Sequence, residues 1–220
     1  MNILEFREVS KFYNQEKSGI HDVSFSVKQG EIVALAGPSG SGKTTALNIA
    51  AGLDEFCGGE VLLLDRSLQN LLPQQILNLR RNDVGFIFQS YNLFPVLSVL
   101  ENVEYPLALK GVRFHERIER AKRCIAEVGL EGLEDRMPNE LSGGQQQRVA
   151  VARALVTEPR IIFADEPTAN LDAITSEKLL LLFRELNEKN GTTFIFSSHD
   201  PRVLKFADRV IVLADGRLAN

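Results

Sequence analysis

Residues 31–45 read EIVALAGPSGSGKTT. A nearly continuous apolar strand, Glu31 to Gly37, runs into a glycine-rich loop and then a helical pattern that reaches about Ala51. The loop, Gly37 to Thr44, has the spacing GxxxxGK followed by Ser or Thr. In that arrangement backbone N–H groups cradle phosphates, the lysine reaches the β and γ oxygens, and the next hydroxyl ligates Mg²⁺. Lys43 and Thr44 take those two roles. A glycine-rich turn with no ligand is the plainer alternative, but it has no use for the lysine. A chain carrying this loop must place a strand before it and a helix N-terminus behind it.

The remaining pattern fits around that unit. Ile3 to Ser10 and Ile20 to Val27 alternate like two half-exposed strands. VGFIFQ (Val84 to Gln89), IIFADEP (Ile161 to Pro167) and TTFIFSS (Thr193 to Ser198) read as further strands. Helical patterns dominate from Ser98 to Glu131, with a break near Gly111, and return from Ile174 to Leu186. The chain closes on a hairpin turned at Asp215-Gly216. Strands alternating with helices imply a mainly parallel sheet covered on both faces. The expected fold is α/β, a P-loop NTPase with a mainly parallel sheet core and an N-terminal antiparallel β subdomain. A helical subdomain, about residues 90–158, is inserted into a single domain spanning 1–220.

Composition removes several function classes. The formal net charge is -4 with no block of like charges, so the basic footprint of a nucleic-acid binder is missing. Cys57 and Cys124 fit no metal or redox spacing and read as free thiols of a reducing compartment. No apolar run approaches the roughly 18 residues of a membrane span, and no export signal opens the chain. A cytoplasmic protein is expected, with any membrane role supplied by a partner.

Three more places carry chemistry. The apolar run Ile161 to Ala164 ends in Asp165 and Glu166, and ligands of open α/β sheets sit at the carboxyl ends of strands. Asp165 would hold Mg²⁺ and Glu166 would orient or deprotonate the attacking water. The alternative is two acids opening a helix beside Pro167. Gln89 ends one strand and His199 follows another. Alone, each reads as a solvated cap or a structural histidine; together they mark the edge where phosphates should lie. Finally, LSGGQQQRVAVARAL (Leu141 to Leu155) has Ser142, Gly143 and Gly144 opening a helix. That prepares a second N-terminus for an anion, or is an ordinary glycine-opened helix. Val149, Ala152 and Val156 recur at helical spacing and should pack inward.

Taken together, the motifs resemble an ATP-binding subunit of an ABC transporter, end to end. GPSGSGKT resembles the Walker A loop, IIFADE Walker B, LSGGQ the signature, ANLD (Ala169 to Asp172) the D-loop, and SSHD (Ser197 to Asp200) the switch-histidine loop. The resemblance implies ATP and Mg²⁺ as ligands. Gly37, Pro38, Ser39, Gly40, Ser41, Gly42, Lys43, Thr44 and Thr45 would line the phosphates. Lys43, Gln89, Glu166 and His199 would serve hydrolysis, and Thr44, Gln89 and Asp165 the metal. Gln89 would also touch the permease, and Tyr13, in KFYN, would stack on adenine. The plain reading of Tyr13 is a half-buried strand aromatic. Ser142, Gly143, Gly144 and Asp172 would act in trans, so that two chains sandwich two ATP molecules head to tail.

Within the family, QQQRVAVARAL, ADEPT.NLD and YPLALKG resemble a branch serving lipoprotein release, macrolide export and FtsE-like tasks. This implies an ATP-hydrolysing subunit, peripheral on the inner face of the cell membrane, that drives an FtsX- or MacB-like integral permease. The alternative is an FtsE-like regulatory ATPase that transmits force without moving a substrate. Soluble family members of DNA repair or translation carry long coiled coils or tandem cassettes, which do not fit 220 residues. Ala169 stands where the branch commonly has glycine, the segment between Tyr13 and Ile20 is shorter than usual, and Thr44-Thr45 replaces Ser-Thr.

Overall fold

A computed structural model describes residues 1–14 and 17–219. Residues 15 and 16, part of the short segment after Tyr13, lie outside the described residues.

Two sheets share the protein between them. β1 (Asn2–Asn14), β2 (Lys17–Lys28), β4 (Gly58–Leu63) and β5 (Arg66–Ser67) form an antiparallel sheet in the order β2-β1-β4-β5. The second sheet contains β3 (Ile32–Ala36), β6 (Val84–Ile87), β7 (Ile161–Asp165), β8 (Thr193–Ser197), β9 (Arg209–Ala214) and β10 (Arg217–Leu218). Its order is β10-β9-β3-β8-β7-β6. Every neighbouring pair is parallel except β10 with β9. The β9–β10 turn holds Asp215 at φ 48 and Gly216 at φ 75, the two positive φ values of a type I′ hairpin.

The central strands are apolar without alternation because both their faces are buried. In β7, Ile161 and Phe163 join one core while Ile162 and Ala164 join the other; in β8, Ile195 faces the first and Phe194 and Phe196 the second. The first core is completed by β1, β2 and α1 (Lys43–Ala50). The second is completed by α3 (Val99–Leu109), α4 (Phe114–Glu127), α5 (Gly143–Leu155) and α6 (Ala173–Asn190). Val149, Ala152 and Val156 are buried there.

Between β6 and β7, which pair directly, the chain makes α3, α4 and α5. Ser98 starts α3 with a reciprocal capping box, its hydroxyl accepting from the Glu101 N–H and the Glu101 carboxylate accepting from its own N–H. The break near Gly111 follows α3, with that glycine at φ 75. The elements not read from the sequence are β4, β5, α2 (Pro73–Asp83) and α7 (Pro201–Phe206). α2 buries only Leu79, and α7 and β5 are too short to show a period.

Parallel pairing has one consequence for chemistry. The carboxyl ends of β3, β6, β7 and β8 lie along one edge, so the loop after Ala36, Gln89, Glu166 and His199 leave from neighbouring strands.

Candidate active site

The phosphate loop folds as its glycines allow. Gly37 has φ 148, and a Cβ there would lie 2.1 Å from the Leu213 carbonyl oxygen; no other residue fits without moving β9. Lys43 is buried, and its ammonium donates to the Gly37 and Pro38 carbonyl oxygens at 2.8 and 2.9 Å. Among the described residues no carboxylate pairs with it. A buried cation with only neutral acceptors suits an anionic ligand. Ser41, also buried, has a hydroxyl without a partner among the described residues. Both observations fit phosphate.

Thr44 Oγ1 donates to Asp165 Oδ1 at 3.1 Å, and the same carboxylate oxygen accepts from the Ser197 hydroxyl. These are hard oxygen donors, the chemistry that Mg²⁺ selects.

Glu166 has φ 45, an uncommon conformation for a residue with a Cβ. Its N–H donates to the Ser197 carbonyl oxygen at 3.0 Å, which fixes that backbone against β8. Its Oε1 meets His199 Nδ1 at 2.7 Å, and its Oε2 accepts from the Ser198 hydroxyl at 3.2 Å. The carboxylate is thus held by two partners, Ser198 and His199, that follow the neighbouring strand. Pro167 does not make the two acids a mere helix start, because α6 begins only at Ala173.

One cavity of about 710 Å³ is lined by Tyr13, Pro38, Ser39, Gly40, Gly42, Lys43, Thr44, Thr45, Gln89, Glu166 and His199. Residues from four strand ends and from β1 therefore meet. Ser142, Gly143, Gly144 and Asp172 do not join them. They line a second cavity of about 380 Å³ that shares no residue with the first. There Ser142 caps α5, accepting from the Gln145 N–H at 3.3 Å. Asp172 caps α6, accepting from the Thr175 N–H and hydroxyl at 3.0 and 2.6 Å. The hydrogen bonds from Thr175 hold the Asp172 carboxyl below the ordinary carboxylate range.

The sequence reading missed two sets of residues. Ser197 and Ser198, which hold Asp165 and Glu166, sit in the quoted SSHD, so the signal was present. The second set fixes the loop after Gln89. Arg153 on α5 donates to the Tyr91 and Asn92 carbonyl oxygens at 2.7 and 2.6 Å, and Asn170 donates to the Gln89 carbonyl oxygen at 3.0 Å. Nothing local to residues 89–97 announces partners so far along the chain.

A single phosphate loop, two carboxylates at the end of β7 and a histidine following β8 define a P-loop NTPase. The LSGGQ sequence, opening α5 at a cavity apart from the loop, narrows the class further. The ABC transporter family model matches residues 20–169, and the chain belongs to that family as an ATP-hydrolysing, ATP-binding subunit. The lipoprotein-releasing system ATP-binding protein LolD of Francisella tularensis is 42% identical over 220 residues, covering 98% of this chain and 95% of that one. The macrolide export ATP-binding/permease protein MacB of Syntrophobacter fumaroxidans is 42% identical over 221 residues, covering 98% of this chain but 31% of the relative. The dimeric post-hydrolysis structure of the ATP-binding cassette MJ0796 of Methanocaldococcus jannaschii, bound to ADP and Pi, superposes with a TM-score of 0.92. It is 42% identical, over 99% of this chain and 97% of that one.

Proposed function

We propose that two copies of this chain close head to tail on two ATP molecules, and that each site combines one copy's phosphate loop with the other's signature. The observation that carries this is the separation of the two cavities. Ser142, Gly143 and Gly144 are built for an anion, yet they share no wall with the cavity that holds Lys43. The dimeric form of MJ0796 with ADP and Pi supports the reading. Its test is whether two different inactive copies restore each other's hydrolysis.

In this site Lys43 and the loop N–H groups hold the β and γ phosphates. Thr44, Asp165 and Gln89 would hold Mg²⁺, which when bound offsets charge on the phosphate oxygens. Glu166 orients the attacking water and accepts its proton as the new oxygen–phosphorus bond forms and the β–γ bridge breaks. His199 keeps that carboxylate in place. The partner's signature donors meet the charge that spreads over the γ-phosphoryl oxygens. Tyr13 stacks on adenine. A π-face reads no hydrogen-bond pattern, so GTP should compete with ATP within about tenfold, or roughly 1.4 kcal/mol. A thousandfold preference in a competition assay would show that another residue reads the base edge.

Binding energy that differs between open and closed dimers drives the partner. We propose that this partner is an integral permease of the FtsX or MacB kind, with the chain peripheral on the cytoplasmic face. Among the described residues no helix is long and apolar enough to cross a membrane. Residues 90–158 act as the helical subdomain that carries the signature. The apolar residues Tyr91, Leu93, Phe94, Pro95 and Leu97 follow Gln89 closely in sequence. Of these only Phe94 lines a largely apolar groove with Leu77, Phe88, Tyr105 and Leu109, rimmed by Arg80, Arg81 and Arg153. Tyr91 places its hydroxyl near Gly143, where a Cβ would lie 3.1 Å from it, and Leu93 packs against the core. The exposed Phe94 ring lies 4.9 Å from that of Tyr105. A short cytoplasmic helix of the permease fits here as an apolar segment in a groove. Phe94→Ala should weaken co-purification with the permease by about 2 kcal/mol or more while ATP binding persists. Normal coupling in both Phe94→Ala and the double change with Tyr105→Ala would move the docking surface elsewhere.

A further inference from the structure

We infer that Asp54 is a positioning residue for nucleotide binding, fixing the Tyr13 ring as the base platform and tying that platform to the phosphate loop. The inference rests on the reading of Tyr13 as the adenine-stacking residue.

Tyr13 is 55% exposed, and a ring so open would ordinarily swing between rotamers. It is held at its far end instead. The Tyr13 hydroxyl lies 2.9 Å from Asp54 Oδ2 and 3.2 Å from Thr45 Oγ1. Asp54 Oδ1 pairs with the Lys11 ammonium at 2.9 Å and accepts from the Glu55 N–H at 2.8 Å. The Lys11 ammonium also stands 5.2 Å from the centroid of the Tyr13 ring. The other side of the ring is set by Gly19, where a Cβ would lie 2.9 Å from both Tyr13 Cε2 and Thr45 Cγ2. Four segments thus converge on one side chain: β1, β2, the first turn of α1 and the turn after α1.

The direction of the protons follows. Burial pushes the Asp54 carboxyl up, but hydrogen bonds from Lys11, Tyr13 and the Glu55 N–H outweigh it, and the group lies below the ordinary carboxylate range. An ionised carboxylate only accepts. The Tyr13 hydroxyl hydrogen is therefore committed to Asp54, and the Tyr13 oxygen accepts from the Thr45 hydroxyl. Thr45 follows the two residues assigned to phosphate and metal, so the base platform and the phosphate cradle are one hydrogen-bonded unit. A ring already ordered loses less freedom when adenine stacks on it, which is where preorganisation raises affinity.

The experiment titrates the full chain with MgATP and, separately, with Mg-tripolyphosphate, which has the phosphates but no base. Asp54→Ala should weaken ATP by about two- to tenfold, the cost of ordering one side chain, and leave tripolyphosphate unchanged. Tyr13→Phe keeps the ring, removes the hydroxyl and should give the same loss. The double variant should be little weaker than Tyr13→Phe, since both single changes remove the bond between Tyr13 and Asp54. A loss for ATP and tripolyphosphate alike would make Asp54 a structural support of the loop and overturn the proposal. So would additive losses, or no loss in either single variant. Tyr13→Ala separates the two readings. If it leaves ATP affinity intact, stacking on Tyr13 is wrong and the role of Asp54 falls with it. If it weakens ATP while Asp54→Ala and Tyr13→Phe do not, the platform stands and the tether is refuted.

Discussion

Glu166→Gln should bind ATP and hydrolyse it about 10²- to 10⁴-fold more slowly, the range that a positioned general base contributes. The substitution keeps the shape of the site. An amide can still bond to His199 and the Ser198 hydroxyl, and the backbone at φ 45 is held by the bond from its N–H to Ser197. What is lost is the ability to take a proton from water. ATP would then hold the two copies together with no exit through hydrolysis, and the dimer should accumulate on gel filtration with MgATP. His199 is the other candidate base beside the phosphates. Near-normal turnover in Glu166→Gln would transfer the role away from the carboxylate, whereas a trapped dimer would leave His199 as the group that orients it.

The parts of this site that were legible in sequence are those whose chemistry is local. GPSGSGKT needs only a strand before it and a helix after it, and β3 and α1 supply them. IIFADE and TTFIFSS are continuous apolar runs because β7 and β8 are covered on both faces, so the polar residues at their ends stand out. What escaped was made by distant pairing. The groove near Phe94 takes walls from α2 and α3, and α2 shows almost no buried face of its own. Residues 91–97 are neighbours in sequence, yet Tyr91 lies by Gly143 while Phe94 lines the groove. Asp54 sits in an unpatterned turn, and its tie to Tyr13 spans 41 residues. LSGGQ announced an anion site; that it serves the other copy's phosphate is implied by the family resemblance, and the separation of its cavity from the phosphate loop supports that reading.

Sharing of the site between two copies is the central claim, and complementation measures it most directly. Lys43→Ala removes the phosphate clamp, and Ser142→Arg places a long cation where the other copy's γ-phosphoryl group must fit. Each variant alone should be inactive, because both sites of a symmetric dimer carry the same lesion. In a mixed dimer one interface combines the two lesions and the other has an intact loop facing an intact signature. Hydrolysis is therefore expected to return on mixing, to peak near equal amounts, and to follow the fraction of mixed dimers scored by differently tagged chains. If mixed dimers form and the rate stays at the sum of the two inactive variants at every ratio, each chain's signature serves its own phosphate loop and the shared site is wrong.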